Sequence, residues 1–286
     1  MRIAYMSDLH LEFEPPVSTM AGWDGLTRAR AALSGHPQRG PLVKGVIGSD
    51  LVVLAGDVDV GLGGMAYAEQ LADYVDCPVI YVAGNHEYYG HDIDHLRADL
   101  RRAAWASQGR VIFLDRDSVR LWLGGHPLLV HGCTLWTDYA IHAAPEDAMV
   151  RASYSLNDHR RISRDYGWFT PSQAREEHCL SRDWLAEQLA SSDPDGSDLE
   201  PARRLVVTHH APLPTKMQGR PEEMAPCYMS DMLGLISQRQ PDLWLHGHTH
   251  HRHTTTVGRT VVASAPRGYL GSQPDALDFS CGFFDL

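Results

Sequence analysis

Short apolar runs recur along the chain, and most of them show no alternation with polar residues. Ile3–Met6, Asp50–Ala55, Pro78–Ala83, Arg204–Thr208 and Pro241–Leu245 each carry aliphatic side chains at consecutive positions. A strand with one wet face would alternate. These runs therefore predict strands covered on both faces, as in a largely parallel sheet. Between them lie segments with helical spacing. Gly63–Tyr74 repeats apolar residues at Met65, Tyr67, Ala68, Leu71 and Tyr74/Val75. Asp92–Ser107 puts Ile93, Leu96, Leu100 and Ala103/Ala104 on one face. Pro171–Leu189 begins with a first-turn proline after a Thr170 cap, and Met229–Arg239 is a further helix. Val111–Leu114, Ser118–Leu123 and Pro127–His131 read as strands, the last two joined by a Gly124-Gly125-His126 turn. Arg252–Thr256 and Thr260–Ala263 read as a hairpin through Val257-Gly258-Arg259, followed by a final turn at Ser264–Tyr269.

Three stretches break the pattern. Residues 14–49 contain proline and glycine and allow one helical segment at Thr27–Leu33. Residues 191–200 are an acidic loop. From Cys133 to Thr170 the periodicity fails, and Trp136, Tyr139, Tyr154, Tyr166, Trp168 and Phe169 are interleaved with charged residues. An insertion of that kind at about 133–170 is either a lid or rim of a binding site or a peripheral subdomain that only packs. No repeat or linker divides the chain, so residues 1–286 are expected to form one domain.

The unusual information lies at the ends of the apolar runs. They finish in Ser7-Asp8-Leu9-His10, Gly56-Asp57-Val58-Asp59, Gly84-Asn85-His86-Glu87, His209-His210 and Gly247-His248-Thr249-His250. In α/β sheets, ligand sites gather at the carboxyl ends of strands. One such residue is an ordinary turn former or core histidine. Five groups in the same context predict a site. Gly247 would let the chain turn sharply, and His248 and His250, two apart in an extended segment, would point the same way as half of a metal site. Asp, His and Asn without Cys suit Mn, Fe, Zn, Co or Ni rather than a thiolate-bound zinc. Seven candidate ligands are too many for one ion and suit two, with Asp57 as the natural bridge. Two cations about 3.5–4 Å apart can share a water whose pKa falls to about 7, fit for in-line attack on phosphorus.

Composition narrows the classes. The net charge of −11 disfavours long nucleic acid and anionic membrane as partners. Seventeen histidines are well above ordinary usage, in keeping with metal chemistry. The five cysteines are scattered and odd in number, which does not describe a disulfide framework. The first residues carry no signal-peptide pattern, and no run approaches the ~18 apolar residues of a membrane span. A cytoplasmic location is the expectation.

The order Asp8-x-His10, Gly56-Asp57, Gly84-Asn85-His86-Glu87, His209, Gly247-His248-x-His250 resembles the calcineurin-like metallophosphoesterase superfamily. The resemblance covers nearly the whole chain. It implies a four-layer αββα sandwich of two mixed sheets flanked by helices, with a dinuclear centre at the strand ends. One ion would take Asp8, His10, Asp57 and His250. The other would take Asp57, Asn85, His209 and His248, with His210 as the alternative to its neighbour. His86 would face the substrate as general acid or charge stabiliser, and His246 would only pack or support. Two divalent or transition ions, manganese first, are implied as cofactors. The reaction implied is hydrolysis of a small phosphomonoester or phosphodiester, with a nucleotide favoured if the insertion's aromatics stack a base. The alternatives are a nuclease, a mononuclear hydrolytic centre, or a non-catalytic metal-binding scaffold of the same fold.

One departure matters. The protein Ser/Thr phosphatases of the superfamily carry G-D-x-x-D-R-G. Here the second acid, Asp59, is one place early and the arginine is missing. The partner of His86 is thus Asp59 or another group. The phosphate clamp must come from elsewhere, with Arg267 as first candidate and Arg160, Arg161 and Arg164 as alternatives.

Overall fold

The computed structural model describes residues 1–13, 45–191, 202–273 and 276–286. The helical segment expected at Thr27–Leu33 and the acidic loop beyond Ser191 lie outside the described residues. In chain order, β1 (Arg2–Met6), β2 (Leu51–Ala55), α1 (Gly63–Val75), β3 (Val79–Val82), α2 (Ile93–Ala106) and β4 (Val111–Phe113) come first. These four strands pair in parallel, with α1 and α2 as crossovers. The chain then leaves that sheet and starts a second with the antiparallel pair β5 (Asp117–Leu123) and β6 (His126–Cys133).

The stretch where periodicity fails contains α3 (Pro145–Ser155), the single turn α4 (Asp158–Arg161) and a small ribbon of β7 (Ser163–Arg164) and β8 (Gly167–Trp168). Then follow α5 (Pro171–Ala190), β9 (Arg203–Thr208), α6 (Leu233–Arg239), β10 (Leu243–His246), β11 (His253–Val257), β12 (Thr260–Ser264) and β13 (Gly282–Asp285). The first sheet runs β13-β1-β2-β3-β4 and the second β11-β12-β10-β9-β6-β5.

Burial shows why the apolar runs lack alternation. In β2 all five residues are buried. Leu51, Val53 and Ala55, with Ile3, Tyr5, Ile80 and Val82, meet Leu128, Val130, Leu205, Val207, Leu243 and Leu245 of the other sheet. The intervening Val52 and Leu54 face the opposite way, onto Met65 and Leu71 of α1 and Ile93, Leu96 and Leu100 of α2. On the far side, Val206, Trp244 and Val262 pack under Leu185 and Leu189 of α5 and Ile236 of α6. The result is helix, sheet, sheet, helix. Each fully buried aliphatic side chain contributes roughly 1.5–3 kcal/mol of transfer free energy, so the two sheets are held together by apolar contact on both faces of each.

Local chemistry sets the helix starts. The Asp92 carboxylate accepts from the Asp94 and His95 amides, both at 3.1 Å, and caps α2. Thr170 and Gln173 form a reciprocal capping box at the start of α5. Two expectations fail. The helix expected from Met229 begins only at Leu233, because Ser230 and Met232 give their amides to the Ala211 and Pro212 carbonyls. The chain end also supplies an unexpected strand, β13, which pairs antiparallel with β1.

Candidate metal centre

The loops that follow β1, β2, β3, β9 and β10 converge at one end of the two sheets. Asp8, His10, Asp57, His248 and His250 all have left-handed backbone, with φ of 53°, 48°, 54°, 68° and 50°. Non-glycine residues rarely adopt this region, and each instance costs of order 1–3 kcal/mol and persists only where its surroundings enforce it. Here the loops lock one another. Asp8 donates its amide to Gly56 O at 3.0 Å and His10 to Asp57 O at 3.0 Å, while Gly247 donates to His209 O at 2.9 Å. The His248 amide donates to Asp8 Oδ1 at 3.0 Å.

Two motif glycines are required by close approach. A Cβ at Gly84 would sit 2.1 Å from Asp57 Oδ1, and one at Gly247 would sit 2.6 Å from Asp8 Oδ2. Gly247 thus makes room for the Asp8 carboxylate rather than supplying the sharp turn that the sequence suggests.

Two sets of buried donors flank Asp57, and a third group, His10, Glu12 and His86, adjoins the first. In the first, Asp8, His10 and His250 converge. His10 Nε2 lies 3.0 Å from His250 Nε2, and His250 Nε2 lies 3.4 Å from Asp8 Oδ1. In the second, Asp57, His209 and His248 converge. His209 Nε2 lies 3.1 Å from His248 Nδ1 and 3.2 Å from Asn85 Oδ1. Asp57 stands between the sets, with Oδ1 3.3 Å from His209 Nε2 and Oδ2 3.8 Å from His10 Nε2. His248 and His250 therefore do not share one half-site. Their left-handed backbones turn them away from each other, one into each set. Of the two adjacent histidines after β9, His209 enters the centre. His210 places its Nδ1 3.3 Å from Thr134 O and packs against Trp136.

Hydrogen-bond partners at the outer nitrogens leave the inner nitrogens of these rings as candidate ligand atoms. His10 Nδ1 lies 3.2 Å from Glu12 Oε1, and His250 Nδ1 lies 3.0 Å from Gln273 Oε1. Both partners only accept, so both Nδ1 atoms carry hydrogen and both Nε2 atoms present lone pairs. Those lone pairs face each other at 3.0 Å, a contact that a shared cation resolves. His209 likewise uses Nδ1 toward a backbone acceptor, 2.9 Å from Ala55 O, which leaves Nε2 as its inner atom. Burial opposes charge on Asp57, yet His209 and His86 outweigh it and hold its carboxyl well below the usual range. Burial likewise opposes charge on His209, but Asp57 outweighs it and brings that imidazole up to about 10. A cation entering this set must displace that proton. The donor set fits two divalent ions: Asp8, His10, Asp57 and His250 for one, and Asp57, Asn85, His209 and His248 for the other.

His86 stands beside the centre without joining either set as a ligand of the pattern above. Its Nδ1 lies 2.7 Å from Glu12 Oε1 and its Nε2 3.3 Å from the Tyr269 hydroxyl. Burial alone would depress this imidazole, but Asp57 and Glu12 raise it above its ordinary value. Glu12, not Asp59, is therefore the carboxylate partner of His86. Asp59 instead accepts from the Val60 amide at 2.7 Å. Glu87 is wholly buried and accepts from the Asp57, Val58 and Gly84 amides and from Tyr81 Oη at 2.7–3.0 Å. It ties the β2 and β3 loops together. Asp158, from the insertion, accepts from Asn85 Nδ2 at 2.8 Å and from Tyr89 Oη at 2.7 Å. That bond turns the Asn85 carbonyl oxygen toward His209.

A model of the calcineurin-like phosphoesterases matches residues 1–252. The chain belongs to the calcineurin-like phosphoesterase family. An uncharacterized protein of Acanthamoeba polyphaga mimivirus is 24% identical over 208 residues, covering 67% of this chain and 68% of that one. Among solved structures, the phosphopantetheinyl hydrolase of Mycobacterium tuberculosis superposes with a TM-score of 0.63 at 16% identity. That match covers 98% of this chain and 95% of the other, and shows the fold. No helix among the described residues is long and apolar enough to cross a membrane.

In this family member the centre opens into a cleft of about 250 Å³. Ser155, Leu156, Asn157 and Asp158 of the insertion form one wall, and Gln218, Gly219 and Arg220 another. Tyr89, Tyr228 and Tyr269 add aromatic surface. The insertion's own aromatics do not line it. Trp136, Tyr139 and Phe169 are buried in the helix-side core, while Tyr154, Tyr166 and Trp168 are exposed elsewhere. Arg267 is also absent from the lining: it is buried and donates from Nη1 to Leu9 O at 3.1 Å. Arg160 donates to Tyr154 O and Ser155 O, Arg161 lies over Tyr89, and Arg164 pairs with Asp94 and Glu177. The cation at the cleft is Arg220, over the ring of Tyr228. Its position in a loop without periodicity gave the sequence reading no signal.

Proposed function

We propose that this chain hydrolyses a small phosphodiester. The carrying observation is the scarcity of arginine and lysine around the centre. Among the described lining residues Arg220 is the single arginine or lysine, and Asp158 adds a carboxylate. A phosphomonoester is close to a dianion at neutral pH and calls for more positive charge than a diester monoanion. The chemistry favours the singly charged substrate. The fold neighbour named a phosphopantetheinyl hydrolase makes a phosphopantetheinyl ester a natural second substrate to try.

Two divalent ions held by the two donor sets, manganese being the first to reload, would supply Lewis-acid charge and an activated water. The remaining work falls to the chain. Glu12 accepts the Nδ1 hydrogen of His86 and fixes the ring. His86 Nε2 then gives a proton to the departing alkoxide. Asp158 keeps the Asn85 oxygen turned inward. Arg220 and Tyr228 hold the outer part of the substrate. A scaffold without turnover would have no use for a His86–Glu12 pair at the mouth of the centre.

The test is turnover of bis-p-nitrophenyl phosphate beside p-nitrophenyl phosphate by metal-stripped protein reloaded with Mn²⁺. The expected result is higher kcat/KM on the diester. Preference for the monoester would overturn the diester assignment.

A further inference from the structure

On the helix-covered face of the second sheet, three side chains line up across neighbouring strands. His246 of β10 is in register with Ser264 of β12, and Ser264 is in register with His253 of β11. Trp244, Val262 and Val257, at even spacings on the same strands, belong to the apolar cluster under α5 and α6. Strand alternation therefore places His246, Ser264 and His253 on that face as well. The two imidazoles reach over the small serine and meet, with their Nε2 atoms 3.4 Å apart and ring centroids at 5.0 Å.

The hydrogens are fixed by the other nitrogens. His246 Nδ1 lies 3.0 Å from Gly247 O, and His253 Nδ1 lies 3.1 Å from His251 O. A carbonyl only accepts, so each Nδ1 carries the hydrogen and each neutral ring keeps a lone pair at Nε2. Two lone pairs face each other with no hydrogen between them. Below them Ser264 Oγ is buried with no hydrogen-bond partner among the described residues. The arrangement repeats that of His10 and His250 in the main centre, where each ring also gives its Nδ1 hydrogen to an acceptor. Backbone carbonyls that hold the second nitrogen are the usual outer support of a metal-binding histidine.

We propose that His246 and His253 bind a further ion of the imidazole-preferring class, Zn²⁺, Ni²⁺ or Cu²⁺, separate from the dinuclear centre. Two bonds of about 2.0–2.1 Å at a tetrahedral angle place their nitrogens about 3.3–3.4 Å apart, which is the spacing observed. No carboxylate belongs to the pair, so Mg²⁺, Ca²⁺ and Mn²⁺ find little here. His251 stacks on His253 with ring planes 10° apart and steadies it. The half-buried His253 leaves an approach for solvent to complete the coordination. His246 lies two residues before His248, so an ion here would clamp the root of the loop that carries His248 and His250.

The test is a count. Mn²⁺-loaded protein is dialysed against Zn²⁺, and total Mn plus Zn per chain is measured by mass spectrometry. Three ions per chain are expected in the wild type, and two in His253→Ala and in the milder His253→Gln. Both variants change a half-buried residue on an edge strand and should keep turnover of bis-p-nitrophenyl phosphate. A wild-type count of two, as a proton shared between the rings would give, overturns the proposal. So does a count of three in the variants. The count is independent of turnover, so a protein that binds three ions and hydrolyses nothing contradicts the phosphoesterase reading instead.

Discussion

The Glu12 carboxylate lies 2.7 Å from Nδ1 of His86. The same oxygen lies 3.2 Å from Nδ1 of His10, so one carboxylate orients both a metal-set histidine and the group at the cleft. Glu12→Gln keeps the shape and removes the charge. Losses of about 10–100-fold are typical when such outer partners are changed. The expected loss falls in kcat at saturating Mn²⁺, with KM little changed. It should be larger on an alkyl diester than on bis-p-nitrophenyl phosphate, whose leaving group needs little protonation. Equal kcat in variant and wild type on the alkyl diester would remove Glu12 from the proton pathway.

Arg220 is exposed at the cleft and lies 5.8 Å from the centroid of Tyr228. Its contact is with that ring, in the outer part of the cleft lining. Arg220→Ala should therefore raise KM several-fold and leave kcat nearly unchanged, the signature of binding energy used equally in ground and transition states. A fall in kcat at unchanged KM would place Arg220 at the reacting atoms instead.

Away from the centre, the wholly buried Glu177 binds α2 and the insertion to α5. Its oxygens meet Arg97 at 2.6 Å, Arg116 at 2.7 Å and Arg164 at 3.0 Å. Burial alone would raise its pKa, but Arg97 and Arg116 bring it down to about 2 from an ordinary 4.5. A depressed folded-state value stabilises the fold above about 4.5 and loses that stabilisation as pH falls from there through about 2. The shift corresponds to about 3 kcal/mol. Urea unfolding of wild type and Glu177→Gln should show the variant less stable at pH 7 by roughly 3–5 kcal/mol, because Arg97 is left buried and underpaired. The gap should shrink as pH is lowered below 4.5. A gap independent of pH would show that the carboxylate's charge is not what the arginines hold.

The fold was legible wherever the chain is buried on both sides. Consecutive aliphatic residues at 51–55 and 205–207 admit few other readings, and polar residues just beyond those runs are donors of the centre. Legibility failed where partners come from distant sequence. Nothing in the sequence marks Glu12 or Asp158 until the fold brings His86 and Asn85 beside them. β13 is too short to announce itself, and only pairing with β1 makes it a strand. The expectation that His248 and His250 share a side assumed extended backbone. The chain instead takes left-handed conformations at both, which no alternation rule foresees. The substrate contact assigned to Arg267 rested on position alone, and its guanidinium is turned to the Leu9 carbonyl.

Asp57 sends Oδ1 toward His209 at 3.3 Å and Oδ2 toward His10 at 3.8 Å, the placement of a carboxylate that two ions would share. The most direct measurement is Mn²⁺ content and diesterase rate of wild type and Asp57→Asn after stripping with chelator and reloading. The wild type should regain two Mn²⁺ and its activity together. The variant should lose at least one ion and fall in rate by about 10²-fold or more, since a neutral amide is a poor bridge between cations. Two tightly bound Mn²⁺ and full activity in Asp57→Asn would contradict a bridging Asp57.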